Sequence, residues 1–252
     1  MLIDTHCHLY MEPLNGSAEE VLGRASNTGV RAIVVPCTDS ASWGRVAELS
    51  RYSMVYPAFG IHPWEAGQGL DEDYLKLMVV EHGAVAIGEI GLDSKVKTPD
   101  RETQLDIFRR QLILARELKL PVILHCRGAF EDMIRIIKEI PLSAGGVLHA
   151  FTRSPEMGKR MIELGLHLAF GGALTRPGAR RTRESASSLP MDRFLLETDA
   201  PAIGMDGIPP EKVEPAHVIR VAAAMSELRG IPLKDVERIT TFNALELFGI
   251  ST

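Results

Sequence analysis

The sequence has few cysteines, few aromatic residues and no long apolar run. Its three cysteines, Cys7, Cys37 and Cys126, form no even disulfide framework and no CxxC pair, which argues against a disulfide-stabilised secreted domain and fits a reducing compartment. No apolar run reaches the ~18 residues that would cross a bilayer, and no charged segment followed by an apolar one opens the chain. We therefore expect a cytoplasmic protein without a membrane partner.

The chain also has fewer basic residues than acidic ones. The chain has 28 Lys and Arg residues against 33 Asp and Glu residues, a formal charge of −5, which argues against a broad basic surface for gripping nucleic acid. One local basic cluster remains, formed by Arg176, Arg180, Arg181 and Arg183. It either steers a polyanion towards a nearby site or forms the solvated face of a helix, and the sequence leaves both interpretations open.

The length of 252 residues and the hydrophobic content of 45% fit one large domain over residues 1–252. Eight short apolar segments alternate with helical patterns, which is typical of βαβ units and a parallel sheet. Eight such units predict a closed (β/α)8 TIM barrel of the α/β class, with an open doubly wound sheet as the alternative. The predicted strands are 1–3, 31–35, a third strand that ends at 58–60, 84–88, 121–125, 145–149, 166–170 and 193–197. The predicted helices are 17–28, 40–51, 71–82, 101–118, 129–139, 155–164 and 178–188, with helical sequence from 215 onwards.

The segment Asp4-Thr5-His6-Cys7-His8 follows the first predicted strand. Residues i and i+2 of an extended chain point to the same side, so His6 and His8 present both imidazoles to one point in space. Two imidazoles in this arrangement are typical ligands of one metal ion, although histidines packed at a strand end would have the same spacing. The rest of the chain must decide between these interpretations.

Polar residues follow most of the other predicted strands as well. In a barrel of this kind the active site forms at the carboxyl ends of the strands, so we expect these residues on one rim. They are His6, His8, His62, Glu89, His125, His149, Glu197 and Asp199. Glu197 is a candidate for orienting a ligand imidazole. The other three histidines have structural interpretations, since His82 ends a helix, His167 begins a strand and His217 lies in the final helical region.

Four imidazoles and two carboxylates on one rim are enough ligands for two metal ions. A bridging carboxylate holds two divalent cations about 3.5–4 Å apart, and Glu89 from the middle of the barrel is the candidate. The expected ligand sets, each completed by Glu89, are His6, His8 and Asp199 for one ion and His125 and His149 for the other. Two divalent ions, zinc, manganese or magnesium, would activate water for hydrolysis, with Asp199 as a general base.

Six motifs occur in order along the chain, and together they resemble one known family. They are DTHCH at 4–8, GIHPW at 60–64, GEIGLD at 88–93, PVILHCR at 121–127, HAFT at 149–152 and LETDAP at 196–201. From about Asp4 to Gly249 the chain resembles the TatD-type metal-dependent deoxyribonucleases within the amidohydrolase-like barrels. The resemblance implies metal ligation by the six residues of the expected sets and hydrolysis of phosphodiester bonds in DNA, often from a 3′ end. It also implies that His62 and Arg127 face the substrate, with the Arg127 guanidinium suited to a phosphate.

The chain departs from the family pattern at several outer positions. Ser94-Lys95-Val96 replaces two aromatic residues and an arginine, Lys212-Val213-Glu214-Pro215 replaces an Arg-Asn-Glu-Pro run, and Arg153 follows HAFT where the family often has glycine. Three functions follow as alternatives. They are a deoxyribonuclease, a dinuclear hydrolase of a non-nucleic-acid ester, lactone or amide, and a non-catalytic metal- or partner-binding barrel. We expect a monomer that takes DNA or a small phosphodiester or ester as its substrate.

Overall fold

The computed structural model describes residues 1–251. Within them, eight parallel strands follow one another around a barrel in sequence order. The strands are β1 (Leu2–Asp4), β2 (Val30–Pro36), β3 (Val55–Phe59), β4 (Ala86–Asp93), β5 (Val122–Arg127), β6 (Gly146–Leu148), β7 (Leu166–Phe170) and β8 (Phe194–Leu196). The prediction of a single-domain (β/α)8 TIM barrel is confirmed, and the alternative of an open doubly wound sheet is wrong.

Helices alternate with the strands and surround the barrel. They are α1 (Ala18–Asn27), α2 (Ser40–Leu49), α3 (Glu72–Glu81), α4 (Arg101–Leu118), α5 (Phe130–Glu139), α6 (Pro155–Glu163), α7 (Arg180–Ser188), α8 (Val218–Arg229) and α9 (Leu233–Phe248). The final helical region is two helices, because Gly230 takes a left-handed conformation after α8 and Pro232 precedes α9. None of the helices within residues 1–251 is both long and apolar enough to span a membrane.

The barrel interior is apolar at one end and polar at the other. One cluster of buried side chains draws on all eight strands: Ile3, Ala32, Val34, Ala58, Ala86, Ile123, Val147, Ala169 and Leu195. Phe248 and Ile250 join this cluster and cover the end at which the strands begin. Because side chains two residues apart share a face, His125 follows Ile123 and His149 follows Val147 towards the opposite end. The apolar layer therefore forms a floor beneath the polar rim.

Strand β4 extends further than the sequence predicts. Its pairing with β5 continues past the apolar run, with Gly91 opposite His125 and Asp93 opposite Arg127. The prediction that Glu89 follows this strand is therefore wrong, since Glu89 lies within it, and Asp93 is its last residue. The register shifts between Ile87 and Ile90, and such an irregularity re-aims the side chains beside it. The hydrophobic pattern predicts too early an end because the second half of the strand carries polar side chains that face the rim.

The barrel closes where the segments after β1 and β8 meet. The Thr5 N–H donates to Leu196 O at 3.0 Å, the Asp199 N–H to His6 O at 2.9 Å, and the His8 N–H to Ala200 O at 2.8 Å. The Asp4 carboxylate reinforces this seam by accepting from the Thr198 hydroxyl at 2.6 Å and the Thr198 N–H at 2.9 Å. The seam consequently places His6 and His8 beside Asp199.

Candidate metal centre

Glu89 lies at the centre of the polar rim, and its two carboxylate oxygens face two different groups of histidines. Oε2 lies 3.2 Å from His6 Nε2 and 3.7 Å from His8 Nε2. Oε1 lies 2.8 Å from His149 Nε2 and 3.1 Å from His125 Nδ1. A carboxylate between two groups of imidazoles lies where a bridge between two metal ions would lie, and the two expected ligand sets stay a prediction that this geometry supports.

The hydrogen bonds of two of these rings fix which nitrogen faces the centre. His8 Nδ1 lies 3.2 Å from Pro36 O, which can only accept, so this nitrogen carries the proton and Nε2 offers a lone pair. His125 lies between two carboxylates, with Nε2 3.4 Å from Asp93 Oδ2 and Nδ1 3.1 Å from Glu89 Oε1, and these partners raise its pKa against the effect of burial. In each ring the nitrogen remote from the centre has an acceptor that can hold a proton, which leaves the facing nitrogen to bind a metal once it is deprotonated.

The spacing of the facing nitrogens also suits a metal. His6 Nε2 lies 3.2 Å from His8 Nε2, and His125 Nδ1 lies 3.3 Å from His149 Nε2. Two ligand nitrogens at roughly 2.0–2.1 Å from a tetrahedral zinc lie about 3.3 Å apart. Facing lone pairs repel unless a proton or a cation lies between them, so both pairs fit a shared cation.

Asp199 completes the first group. Its Oδ1 lies 3.4 Å from His8 Nε2 and 3.7 Å from His6 Nε2, and it is buried without a hydrogen-bond partner within the described part of the chain. A buried carboxylate oxygen is costly unless a hydrogen bond, an opposite charge or a metal compensates it. Three overlapping triads have their donor atoms within 4.8 Å of one another: His6, His8 and Glu89; His6, His149 and Asp199; and His62, Glu89 and His125. Apart from His62, whose Nδ1 is occupied by the Trp64 N–H, the residues of these triads fit the donor set of a divalent metal site.

The electrostatics of the cluster show that it requires positive charge. Burial opposes ionisation of Glu89, but His149, His62 and His6 hold its pKa well below the usual value, so the carboxylate stays charged. Burial likewise opposes a charge on His149, yet Glu89 and the carboxylates of Glu197 and Asp199 raise its pKa to about 10. These charges favour a cation at the centre, whether a proton or a metal ion.

His62 faces the same centre in a different form. Its Nδ1 accepts from the Trp64 N–H at 3.2 Å, and burial lowers its pKa, so the neutral ring carries its proton on Nε2. That nitrogen lies 3.4 Å from Glu89 Oε1. Because the Nε2 of His62 is a donor, the ring is suited to donate a hydrogen bond near the centre rather than to bind a metal.

Asp93 is a candidate functional residue that the sequence analysis missed, and its only signal was its place at the end of the GEIGLD motif. Besides His125, its carboxylate accepts from the Trp64 indole N–H at 2.7 Å and the Lys95 N–H at 2.8 Å. The Gln104 side chain brackets the Asp93 backbone, accepting from its N–H at 2.8 Å and donating to its carbonyl at 3.1 Å. Asp93 therefore connects a candidate ligand to the wall beside it.

Glu197 lies behind His149, as expected, but does not reach hydrogen-bond distance. Its Oε1 accepts from the Ala150 N–H at 2.7 Å and lies 3.9 Å from His149 Nδ1. Burial raises the pKa of Glu197 to about 8, with the Asp199 charge adding to this and the His149 charge opposing it. Glu197 thus fixes the backbone that follows His149 and only indirectly the ring.

A cavity of about 590 Å³ opens onto the centre. Its lining includes His62 and Arg127, the two residues expected to face the substrate. The Arg127 side chain is 55% exposed, and the carboxylate within reach of it is that of Asp93 at 3.8 Å. The cavity also exposes apolar side chains, among them Met11, Trp64, Phe130 and Ile203. The presence of both His62 and Arg127 in this lining is consistent with the prediction that they face the substrate.

The basic cluster of Arg176, Arg180, Arg181 and Arg183 does not line this cavity. Arg176 donates to Gly204 O at 2.6 Å and Arg183 to Leu174 O at 3.1 Å, so these two guanidiniums tie loops together. Arg180 and Arg181 are exposed on α7. The arrangement favours a largely structural and solvated interpretation of the cluster.

The other histidines occupy the positions predicted for them. His82 ends α3, and His167 lies near the start of β7, away from the rim. His217 Nδ1 accepts from the Glu214 N–H at 2.9 Å before α8. Cys7 is buried, and Cys126 lines the cavity. Burial raises the pKa of Cys126 to about 12, so its thiol stays protonated.

A barrel with histidines and carboxylates gathered at the carboxyl ends of its strands defines the class of metal-dependent hydrolases. The profile of the family described as TatD related DNase matches residues 3–249. The chain belongs to this family and is a metal-dependent hydrolase.

Its relatives extend over the whole chain. The uncharacterized metal-dependent hydrolase YabD of Bacillus subtilis is 37% identical, with 100% of both chains covered. The putative deoxyribonuclease tatdn3 of zebrafish (Danio rerio) is 31% identical over 98% of this chain and 96% of the relative. The crystal structure of YjjV, a TatD homolog from Escherichia coli, superposes with a TM-score of 0.95 at 35% identity, covering 99% of this chain and 98% of the other.

Proposed function

We propose that the protein is a deoxyribonuclease that hydrolyses phosphodiester bonds with two divalent metal ions, zinc, manganese or magnesium. The observation that carries this proposal is the division of Glu89, with one carboxylate oxygen 3.2 Å from His6 Nε2 and the other 2.8 Å from His149 Nε2. One carboxylate between two groups of imidazoles supports a bridged pair of ions.

The six candidate ligands divide into two sets that share Glu89. His6, His8 and Asp199 would hold one ion, and His125 and His149 the other. Two divalent cations held in this way supply a nucleophile at neutral pH and stabilise the charge of an in-line displacement at phosphorus.

Side chains of this protein would transfer the proton and bind the substrate. Asp199 Oδ1, buried and without a hydrogen-bond partner within residues 1–251, would accept the proton of the attacking water as general base. The Nε2–H of His62 would donate to an oxygen of the substrate. The Arg127 guanidinium, at the mouth of the cavity, would bind a phosphate of the same substrate through its planar fork.

The comparisons with known proteins and the size of the cavity both support DNA as the substrate. The family carries the DNase description, and the zebrafish relative is called a putative deoxyribonuclease. The cavity of about 590 Å³ falls within the range of roughly 300–1,000 Å³ that suits a compact ligand. A nucleotide or the end of a single strand fits this volume, whereas a duplex does not. We expect one catalytic unit over residues 1–252 that acts as a monomer in the cytoplasm.

A second candidate is the hydrolysis of a non-nucleic-acid ester, lactone or amide. The apolar wall formed by Met11, Trp64, Phe130 and Ile203 favours it, because such a wall accepts an uncharged substrate as well as a nucleobase. The same metal chemistry would serve both substrates.

The deciding experiment measures nucleotide release from an end-labelled DNA strand by the purified protein with Mg²⁺ or Mn²⁺. Asp199→Ala and chelator-treated protein are the controls. Release by the wild type alone supports the deoxyribonuclease. No release by a protein that contains metal would favour the second candidate, which a screen of small esters, lactones and amides then tests. Metal binding without turnover on any of these substrates would leave a binding protein.

A further inference from the structure

One guanidinium in the wall of the cavity has no acidic partner. Arg153, four residues after His149, lines the cavity, and no carboxylate of residues 1–251 lies within 4.0 Å of its guanidinium nitrogens. An arginine stays charged at every pH that proteins tolerate. A charge at the mouth of a cavity without a neutralising partner is available to an anionic ligand.

An aromatic ring holds this guanidinium in place. Its central carbon lies 4.8 Å from the centroid of the Phe130 ring, and Phe130 lines the same cavity. The backbone of Arg153 is fixed as well, since its carbonyl accepts from the Ser185 hydroxyl at 2.7 Å. Stacking on a ring leaves the edge of the guanidinium, with its N–H donors, free to bind.

A second guanidinium borders the same opening. Arg127 lies two residues after His125 on β5, so its side chain leaves the strand on the same face, about 7 Å further along. Arg127 lines the cavity together with Arg153, and the residue between His125 and Arg127, Cys126, lies there too. Two cations therefore line the cavity beside the candidate metal centre.

Nearby arginines outside the cavity are paired in a different way. Arg160 binds Glu131 through two hydrogen bonds of 2.7 Å, and Arg101 binds Asp132 at 2.6 Å and 2.9 Å. These pairs occupy the two carboxylates of the first turn of α5, directly after Phe130. The acidic groups closest in sequence to Phe130 are thus already bound to other cations, which leaves Arg153 unneutralised.

We propose that Arg153, together with Arg127, forms an anion-binding subsite for a phosphate group of the substrate other than the one that is cleaved. This inference rests on the proposed phosphodiesterase function and names its substrate class, a nucleotide chain that carries a further phosphate next to the scissile bond. A neutral ester, lactone or amide has no group for this subsite.

The test uses two dinucleotides that differ in one group, a terminal phosphate. The ratio of their KM values is measured for the wild type, Arg153→Ala, Arg153→Lys and Arg181→Ala, each loaded with Mn²⁺. One charge-assisted contact to a phosphate changes binding by roughly tenfold or more, so we expect the wild type to have about a tenfold lower KM for the phosphorylated dinucleotide. Arg153→Ala should bring the ratio close to one.

The other two variants separate the subsite from a general effect of charge. Arg181→Ala removes the same charge from α7, outside the cavity, and should keep the wild-type ratio. Arg153→Lys keeps the charge but loses the planar fork and the stacking on Phe130, so it should retain only part of the ratio. An unchanged ratio in Arg153→Ala, or an equal loss in Arg181→Ala, would overturn the proposal.

A binding measurement keeps this test independent of turnover. Calorimetric affinities of the two dinucleotides are compared for Asp199→Asn with and without Arg153→Ala. Preference for the phosphorylated dinucleotide that disappears with Arg153→Ala supports the subsite even if the wild type cleaves neither compound, which would instead reject the proposed function. Equal affinities for both dinucleotides in Asp199→Asn alone would reject the subsite.

Discussion

The carboxylate of Asp93 and the imidazole of His125 form a pair in which Oδ2 lies 3.4 Å from Nε2. The opposite nitrogen of the same ring lies 3.1 Å from Glu89 Oε1, at the centre of the cluster. Because Asp93 also accepts from Trp64 at 2.7 Å, one buried carboxylate sets both the candidate ligand and the cavity wall. Partners of this kind determine which nitrogen of a histidine remains free to bind a metal.

Asp93→Asn should therefore lower the affinity for one metal ion and leave the affinity for the other unchanged. An amide can turn its NH₂ towards His125 and no longer favours the proton on Nε2, and such changes lower metal affinity by roughly 10–100-fold. Calorimetric titration of the metal-stripped protein should show one weakened and one unchanged site, whereas Glu89→Ala should weaken both. Asp206→Asn, an exposed carboxylate, is the matched control. Two unchanged sites in Asp93→Asn would contradict the positioning role.

Asp199→Asn should abolish turnover while the fold remains. The substitution keeps the size of the side chain but removes the oxygen that would accept a proton, and general base catalysis contributes about 10²–10⁴-fold. Hydrolysis rates are measured beside thermal unfolding of the same preparation. Activity within about tenfold of the wild type would remove Asp199 from the proposed mechanism, since general base loss should exceed that.

Gly91→Ala should destabilise the strand that carries Glu89. Gly91 has φ +145, and a Cβ at this position would lie 2.0 Å from the carbonyl oxygen of His125. Because β4 and β5 would have to separate, we expect a loss of more than about 3 kcal/mol in the free energy of unfolding, measured by denaturant titration. Gly44→Ala is the control, since a Cβ there meets nothing within 4 Å in the middle of α2. That substitution should stabilise the protein by about 0.5–1 kcal/mol.

His167 should make the protein less stable in mild acid. Burial, together with the charge of Arg193, lowers its pKa from 6.5 to about 4, so the folded state keeps the ring neutral where the unfolded chain protonates it. The unfolded state then binds more protons between these two values, and the free energy of unfolding falls as the pH decreases through this window.

His167→Gln removes this titration, so its unfolding free energy should fall less steeply than that of the wild type between pH 6.5 and about 4. The difference between the two proteins is the quantity to measure, because the histidines of the candidate centre titrate alike in both. Parallel curves would show that His167 contributes nothing to the pH dependence.

The rim of histidines could be predicted from the sequence because it depends only on where each strand ends and on the spacing of neighbouring residues. Strand ends are visible as the points where apolar runs stop, and parallel barrel strands all end on one rim. The i and i+2 spacing of His6 and His8 fixes their common side without knowledge of the rest of the fold. The pairing of one set with Asp199 required only that the first and last strands be neighbours.

Other features depended on distances that a sequence does not contain. The partners of Asp93 come from the segment after β3, from β5 and from α4, so its role emerges only when these elements pack together. The tautomers of His8 and His62 depend in the same way on single carbonyl and N–H groups. The end of β4 could not be predicted from its hydrophobic run, because the second half of the strand places polar side chains on the rim.

The seam between the segments after β1 and β8 joins Asp4 to Thr198, which are 194 positions apart in the chain. A ribosome must therefore make about four-fifths of the protein before Asp199 can meet His6 and His8. A chain released earlier, or cut before this point, contains the first two histidines but no complete centre. The complete candidate centre therefore forms only late in synthesis.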